Sequence, residues 1–174
     1  MIINTSQVTK ILITKIERLD DITVILEDIG PHQGRIIIEC YGESWASYWG
    51  GMGERTIAEF FCSCDEYYLA KNLSSISSTI LDYDGLANKI KNAIIRSRRK
   101  RELSKFGAKW ACEQADDIVD ESSAAFNHKF IAEHLGDEWW REFPVKTNPD
   151  YEYLCRIITT VQQALREVNI KEAA

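Results

Sequence analysis

The sequence predicts an α+β fold, an N-terminal antiparallel β-meander of three or four strands packed against C-terminal α-helices. Three observations predict it. Apolar residues alternate with period two through the first fifty positions, short turn-forming segments separate those runs, and from residue 54 onward apolar residues recur every three or four positions behind helix-capping signals. The 174 residues fit a single domain, β-rich over 8–50 and helical over 54–170.

The strands come first. Lys10 to Ile16 is β-branched and bounded by polar residues, and Asp20-Asp21 marks a turn. Ile22, Val24 and Leu26 then alternate with Thr23, Ile25 and Glu27. A second turn lies at Gly30-Pro31-His32-Gln33-Gly34, because proline fixes φ and glycine admits positive φ. Ile36, Ile38 and Cys40 face opposite to Arg35, Ile37 and Glu39, and Trp45, Ser47 and Trp49 continue as a fourth strand. Connections this short join antiparallel neighbours.

Helices follow. Thr56-Ile57-Ala58-Glu59 has capping-box spacing, and Ser63-Cys64-Asp65-Glu66 repeats it, which predicts a break into a second short helix from Asp65 to Asn72. The Ser-rich stretch Asn72 to Thr79 reads as a loop. Helices are then expected over Asp84–Phe106, Lys109–Asp120 and Ala124–Leu135. Asn148 is a good N-cap, with Pro149 at the first helical position and Asp150 favourable to the dipole. Tyr151, Leu154, Ile158, Val161, Leu165 and Val168 make one apolar face. Such a face suits core packing, with a homodimer as the alternative, since the repeat lasts under three heptads.

Composition narrows the class. With 45% apolar and 28% charged residues, the chain has enough apolar surface to offset ordering entropy, so disorder is not expected. No run approaches the ~18 apolar residues that span a bilayer, and Met1 to Thr5 lacks the basic and apolar regions of a secretory signal; a cytoplasmic protein without membrane partner is expected. Five cysteines, an odd number at irregular spacing, read as free thiols in a reducing compartment.

The net charge of −6 is unevenly spread. Residues 1–88 hold 6 basic and 13 acidic side chains, residues 89–109 hold 9 basic residues and only Glu102, and residues 110–174 hold 6 basic and 13 acidic. The block centres on Arg96, Arg98, Arg99, Lys100 and Arg101. Leu86, Ile90, Ala93 and Ile94 give an apolar face before it, and Leu103, Phe106 and Trp110 resume one behind it. A helix polar all round has no face to bury, so this part is expected to project. It could pair with the protein's own carboxylates, contact nucleic-acid phosphate, or dock on an acidic patch of another protein.

No catalytic, cofactor or metal residue is assigned. Gly50, Gly51 and Gly53 form a loop whose amides could hold an anion, but neither a P-loop ending nor GxGxxG is present, and a turn under packed tryptophans serves as well. Cys62-Ser63-Cys64 with Cys40 falls short of the four ligands of a structural zinc site. Cys40 or Cys62 with His32 and Asp28 forms no triad that spacing supports. Aromatics are distinctive: Trp45 and Trp49 suit the core, whereas adjacent Trp139 and Trp140 point about 100° apart on a helix and cannot share one buried face, which makes them contact candidates.

The stretch Ile22 to Leu73 resembles a family of small proteins of tailed phages and prophages. The residues that carry the resemblance are Leu26-Glu27-Asp28-Ile29-Gly30-Pro31, Cys40-Tyr41-Gly42, Trp45, Tyr48-Trp49-Gly50-Gly51-Met52-Gly53, Ile57-Ala58-Glu59-Phe60-Phe61 and Ser63 to Leu69, with Asn148-Pro149-Asp150-Tyr151 and Leu154-Cys155 near the end. It transfers no functional residue. It implies a context in which small acidic accessory proteins bind host machinery, restriction and CRISPR systems included. The leading expectation is therefore a non-enzymatic accessory protein that binds a host protein or nucleoprotein through Arg96–Arg101 with Trp139 or Trp140. A nucleic-acid-binding module using the same basic helix is the alternative, and a small enzyme beside Gly50–Gly53 the second.

Overall fold

The computed structural model describes residues 1–172, with side chains to residue 168. In chain order the elements are β1 (Thr9–Ile13), β2 (Ile22–Gly30), β3 (Gln33–Cys40), β4 (Glu43–Trp49), α1 (Ile57–Ser63), α2 (Glu66–Leu73), β5 (Thr79–Leu81), α3 (Tyr83–Arg99), α4 (Lys105–Asp116), α5 (Glu121–Phe126), α6 (His128–Leu135), a 3-10 turn (Trp139–Glu142), β6 (Val145–Thr147) and α7 (Pro149–Glu172). They form two compact units. Unit one is Met1–Ser78 with the chain from Pro149 onward, and unit two is Thr79–Asn148.

Unit one contains the predicted meander, now with four strands in the order β1-β2-β3-β4, antiparallel throughout. Cross-strand partners Leu26–Ile36, Val24–Ile38 and Ile22–Cys40 share one face, and all six are buried. That is the period-two pattern realised. The β3–β4 turn holds only Tyr41 and Gly42, at φ +50° and +81°, the left-handed pair a tight hairpin requires.

Helices α1, α2 and α7 lie on the buried face. Thr56 and Glu59 close the predicted capping box on α1. For α2 the cap is Asp65, which accepts from the Tyr68 amide at 2.9 Å, rather than Ser63. Strand β3 runs so close to α1 that a Cβ on Gly34 would sit 2.7 Å from Ile57 Cβ. Trp49 packs its ring on Phe60 and Phe61, at centroid distances of 5.5 and 6.4 Å. Tyr151, Leu154, Ile157, Ile158, Val161 and Leu165 of α7 complete the core, each worth about 1.5–3 kcal/mol relative to exposure.

Unit two is helical, closed by the antiparallel pair β5–β6. Its core is Leu86, Ile90 and Ile94 of α3 with Ala111 and Ala115 of α4, Ile118, Ala124 and Ile131. The helix boundaries differ from the expectation. The Asp84–Phe106 helix stops at Arg99 and a new one starts at Lys105. The Lys109–Asp120 helix thus begins and ends earlier, and the Ala124–Leu135 segment is two helices separated at Asn127. Local capping explains this. Ser104 accepts from Gly107 N at 3.0 Å, and Asp120 forms a reciprocal box with Ser123. Among the described residues no helix is long and apolar enough to cross a membrane.

Candidate functional site

The basic block lies in unit two, at the tip of the hairpin formed by α3 and α4. Leu86, Ile90 and Ile94, four residues apart, fix one face of α3 against α4. The next position in that series is Arg98, so the buried stripe runs out as the charges begin.

The helix ends in a Schellman motif. Glu102 N donates to Ser97 O at 3.0 Å and Arg101 N to Arg98 O at 3.1 Å. Arg101 occupies the left-handed position of that motif, φ +67°, where glycine is usual. The expectation of a projecting helix is thereby corrected in form. The polar run is one helix end plus an exposed turn, with Arg96, Arg98, Arg99, Lys100 and Arg101 all exposed.

Of the six cations of unit two outside the tip, all but Lys129 are paired among the described residues. Lys89 pairs with Glu142 at 3.0 Å, Lys91 with Asp116, Lys109 with Glu113 at 3.7 Å, Arg141 with Glu138 at 3.0 Å, and Lys146 with Asp82 at 3.6 Å. For Arg96, Arg98, Arg99, Lys100, Arg101 and Lys105, no carboxylate of the described residues lies within 4 Å. The last-turn arginines do complement the α3 dipole. That effect falls off within a turn, so it gives no reason for Lys100, Arg101 and Lys105.

Two aromatic residues border the tip. Phe106 is 83% exposed and Trp110 is 56% exposed. The sequence pattern placed both on an apolar face with Leu103, and the structure corrects this. The inward face of α4 is Ala108, Ala111, Cys112 and Ala115, which sets Phe106 and Trp110 on the opposite side. Alanines at helical spacing were the signal that could have found them.

Trp139 and Trp140 diverge as adjacent residues must. Trp139 is half-buried, packs on Phe143 with centroids 5.9 Å apart, and has its indole Nε1 enclosed without a hydrogen-bond partner among the described residues. Trp140 is 52% exposed and stacks on His128, centroids 6.3 Å apart at 23°. A cleft of about 550 Å³ joins Arg96 and Trp139, with Lys89, His134 and Arg141 among its walls. Arg98, Arg99, Lys100, Arg101 and Trp140 do not line it.

The glycine loop of unit one is fastened from within. Met52 is buried and its amide donates to His32 O at 2.9 Å, while Arg55 Nε donates to Met52 O at 2.9 Å. Asp28 accepts from the Ile57 amide at 2.7 Å and Glu59 from the Thr56 amide at 2.8 Å. These carboxylates already hold two amides at the start of α1. Gly50, Gly51 and Gly53 remain exposed, with Gly53 at φ +66°.

The thiols are dispersed. Cys62 Sγ donates to Gln162 O at 3.5 Å, and burial pushes its pKa up, away from a reactive thiolate. Cys40 Sγ meets Tyr153 Oη at 3.4 Å, a hydrogen bond that, with burial, pushes the tyrosine up to about 12. No group of three or more His, Cys, Asp or Glu residues poised for a metal occurs among the described residues.

A comparison with protein families matches residues 1–167 to one described as a phage family. No curated protein and no solved structure matches the chain.

Proposed function

The chain belongs to that phage family, and from this premise we propose that it is a non-enzymatic accessory protein that binds a host protein or nucleoprotein through the α3–α4 tip. One observation carries the reading: the tip gathers six exposed cations with no carboxylate partner among the described residues, while five of the six other cations of the same unit each have one. Clustering like charges on a short turn costs stability, so an outside polyanion that compensates them gains on binding. The setting is permissive. Unit two carries 12 basic and 12 acidic residues, whereas the rest of the chain, with 9 and 15, holds the whole net charge of −6.

The test is co-purification of the tagged full chain from host cells, beside an Arg98→Glu/Arg99→Glu/Arg101→Glu variant. The proposal expects a stoichiometric partner that is lost in the variant and released by salt. A partner retained by the charge-reversed chain would overturn it. So would recovery of none. In that event the cleft beside Arg96 and Trp139 would be the next surface to examine.

A further inference from the structure

We infer that the partner of the tip is single-stranded nucleic acid, its phosphates held by Arg98, Arg99, Lys100, Arg101 and Lys105 and its bases stacked on Phe106 and Trp110; this rests on the tip being the binding surface.

Charge alone would not choose between an acidic protein and a nucleic acid. The aromatic rings do. Single-strand binding combines a cationic track for the backbone with exposed aromatic faces for the bases. Phe106 and Trp110 are four residues apart, hence on one side of α4 and about 6 Å apart along its axis. Both lie within twelve residues of these cations, in the first half of the helix that follows the turn. Carboxylates gain nothing from a ring face, so an acidic peptide would need apolar side chains of its own to use Phe106 and Trp110, whereas every nucleotide carries a base that can stack.

Duplex is disfavoured by the rest of the helix. Along the outward face of α4, Phe106 and Trp110 are followed at helical steps of three and four by Glu113 and the C-cap Asp117, both exposed. A helix lying in a duplex groove would bring these carboxylates against phosphates on both walls. A single strand crossing the tip uses only the first half of α4 and stops short of them. Paired bases are also stacked on each other, so a duplex presents no ring faces to Phe106 or Trp110.

A left-handed arginine is strained where a glycine would be relaxed. Lys15, Arg18, His32 and Tyr41 share that conformation, so the strain describes the turn and does not choose its ligand.

The experiment is fluorescence anisotropy with the full chain, using a labelled mixed-sequence strand of about 15 nucleotides and the matching duplex, between about 50 and 200 mM salt. The strand is expected to bind at least about tenfold more tightly than the duplex, with affinity falling as about the third power of salt concentration, the slope for four to five neutralised phosphates. Trp110→Ala and Phe106→Ala should each weaken it about 5- to 100-fold, Trp110→Phe should restore most of the loss, and duplex binding should not respond. Circular dichroism of each variant controls for folding. Equal binding of strand and duplex, unmoved by the aromatic variants, would overturn the single-strand inference and leave the cationic surface intact. Binding of neither, with a host partner still lost on charge reversal, would also overturn it and point to an acidic protein. A host partner unaffected by charge reversal would bring down both readings.

Discussion

Arg98 and Arg101 are tied to each other through the backbone: the Arg98 carbonyl accepts the Arg101 amide at 3.1 Å, and this bond holds Arg101 at φ +67°. Their side chains are both exposed and both cationic. The turn thus fixes the tip through its main chain and leaves its charges outward.

Replacing Arg101 by glycine removes the Cβ penalty of the left-handed conformation but adds chain entropy to the unfolded state. The net expectation is a gain of about 0.5–1 kcal/mol, seen as a higher midpoint in urea. The same variant should bind the partner less well. A chain that is no more stable would show that Arg101 carries no strain there, and unchanged binding would show that its charge is not used.

Gly34 is required by a close approach, and its substitution should show that. An added Cβ would meet Ile57 Cβ at 2.7 Å and Met52 Cε at 2.8 Å. The methionine end can swing away, but Ile57 Cβ is attached to the α1 backbone. Gly34→Ala is expected to cost about 1–3 kcal/mol by overpacking, measured by chemical denaturation. A neutral result would mean that α1 shifts freely on the sheet.

Gln162 is the buried polar group that joins α7 to the end of α1. Its Nε2 donates to Phe61 O at 2.9 Å and to Cys64 O at 2.8 Å. Gln162→Leu keeps the volume nearly constant and leaves two carbonyls without that donor, for a loss of about 2–3 kcal/mol. Hydrogen exchange at the α1–α2 junction should rise with it. If only global stability falls, the two bonds are not what orders the junction.

Asp120 gives the chain an acid-sensitive cap. Hydrogen bonds from the Ser123 backbone amide, and then from its hydroxyl, hold its carboxyl below the ordinary value. A folded pKa below the unfolded one contributes stability that is complete above the unfolded pKa, about 4, and is lost as pH falls through the folded value. The stability difference between wild type and Asp120→Asn should therefore shrink on acidification below about pH 4. It should stay constant above that. A difference independent of pH across that window would show that the cap works without its charge.

The sheet was legible because period-two alternation and turn residues agree at every strand, and Asp65 and Asn148-Pro149 marked helix starts by their own chemistry. Unit two was harder to read for three physical reasons. The stop of α3 is an arginine in a position glycine normally announces, so the charged run looked like continuous helix. Ala108, Ala111 and Ala115 bury little area, and an apolar pattern therefore gave Phe106 and Trp110 the inward side that the alanines occupy. Strands β5 and β6 have three residues each, too few for a period to show. The cations of the proposed site are legible in the sequence; the exposure of Phe106 and Trp110 follows only from the packing of α4.

Thr79 sits opposite Thr147, and between those two residues runs the whole helical segment that bears the tip. The chain therefore departs and returns through one narrow doorway. A segment entered this way is a cassette: it can be exchanged for another of different length or charge, and the ends offered for rejoining remain neighbours. If the tip is the binding surface, such an exchange would alter what is bound and leave the four-stranded sheet untouched.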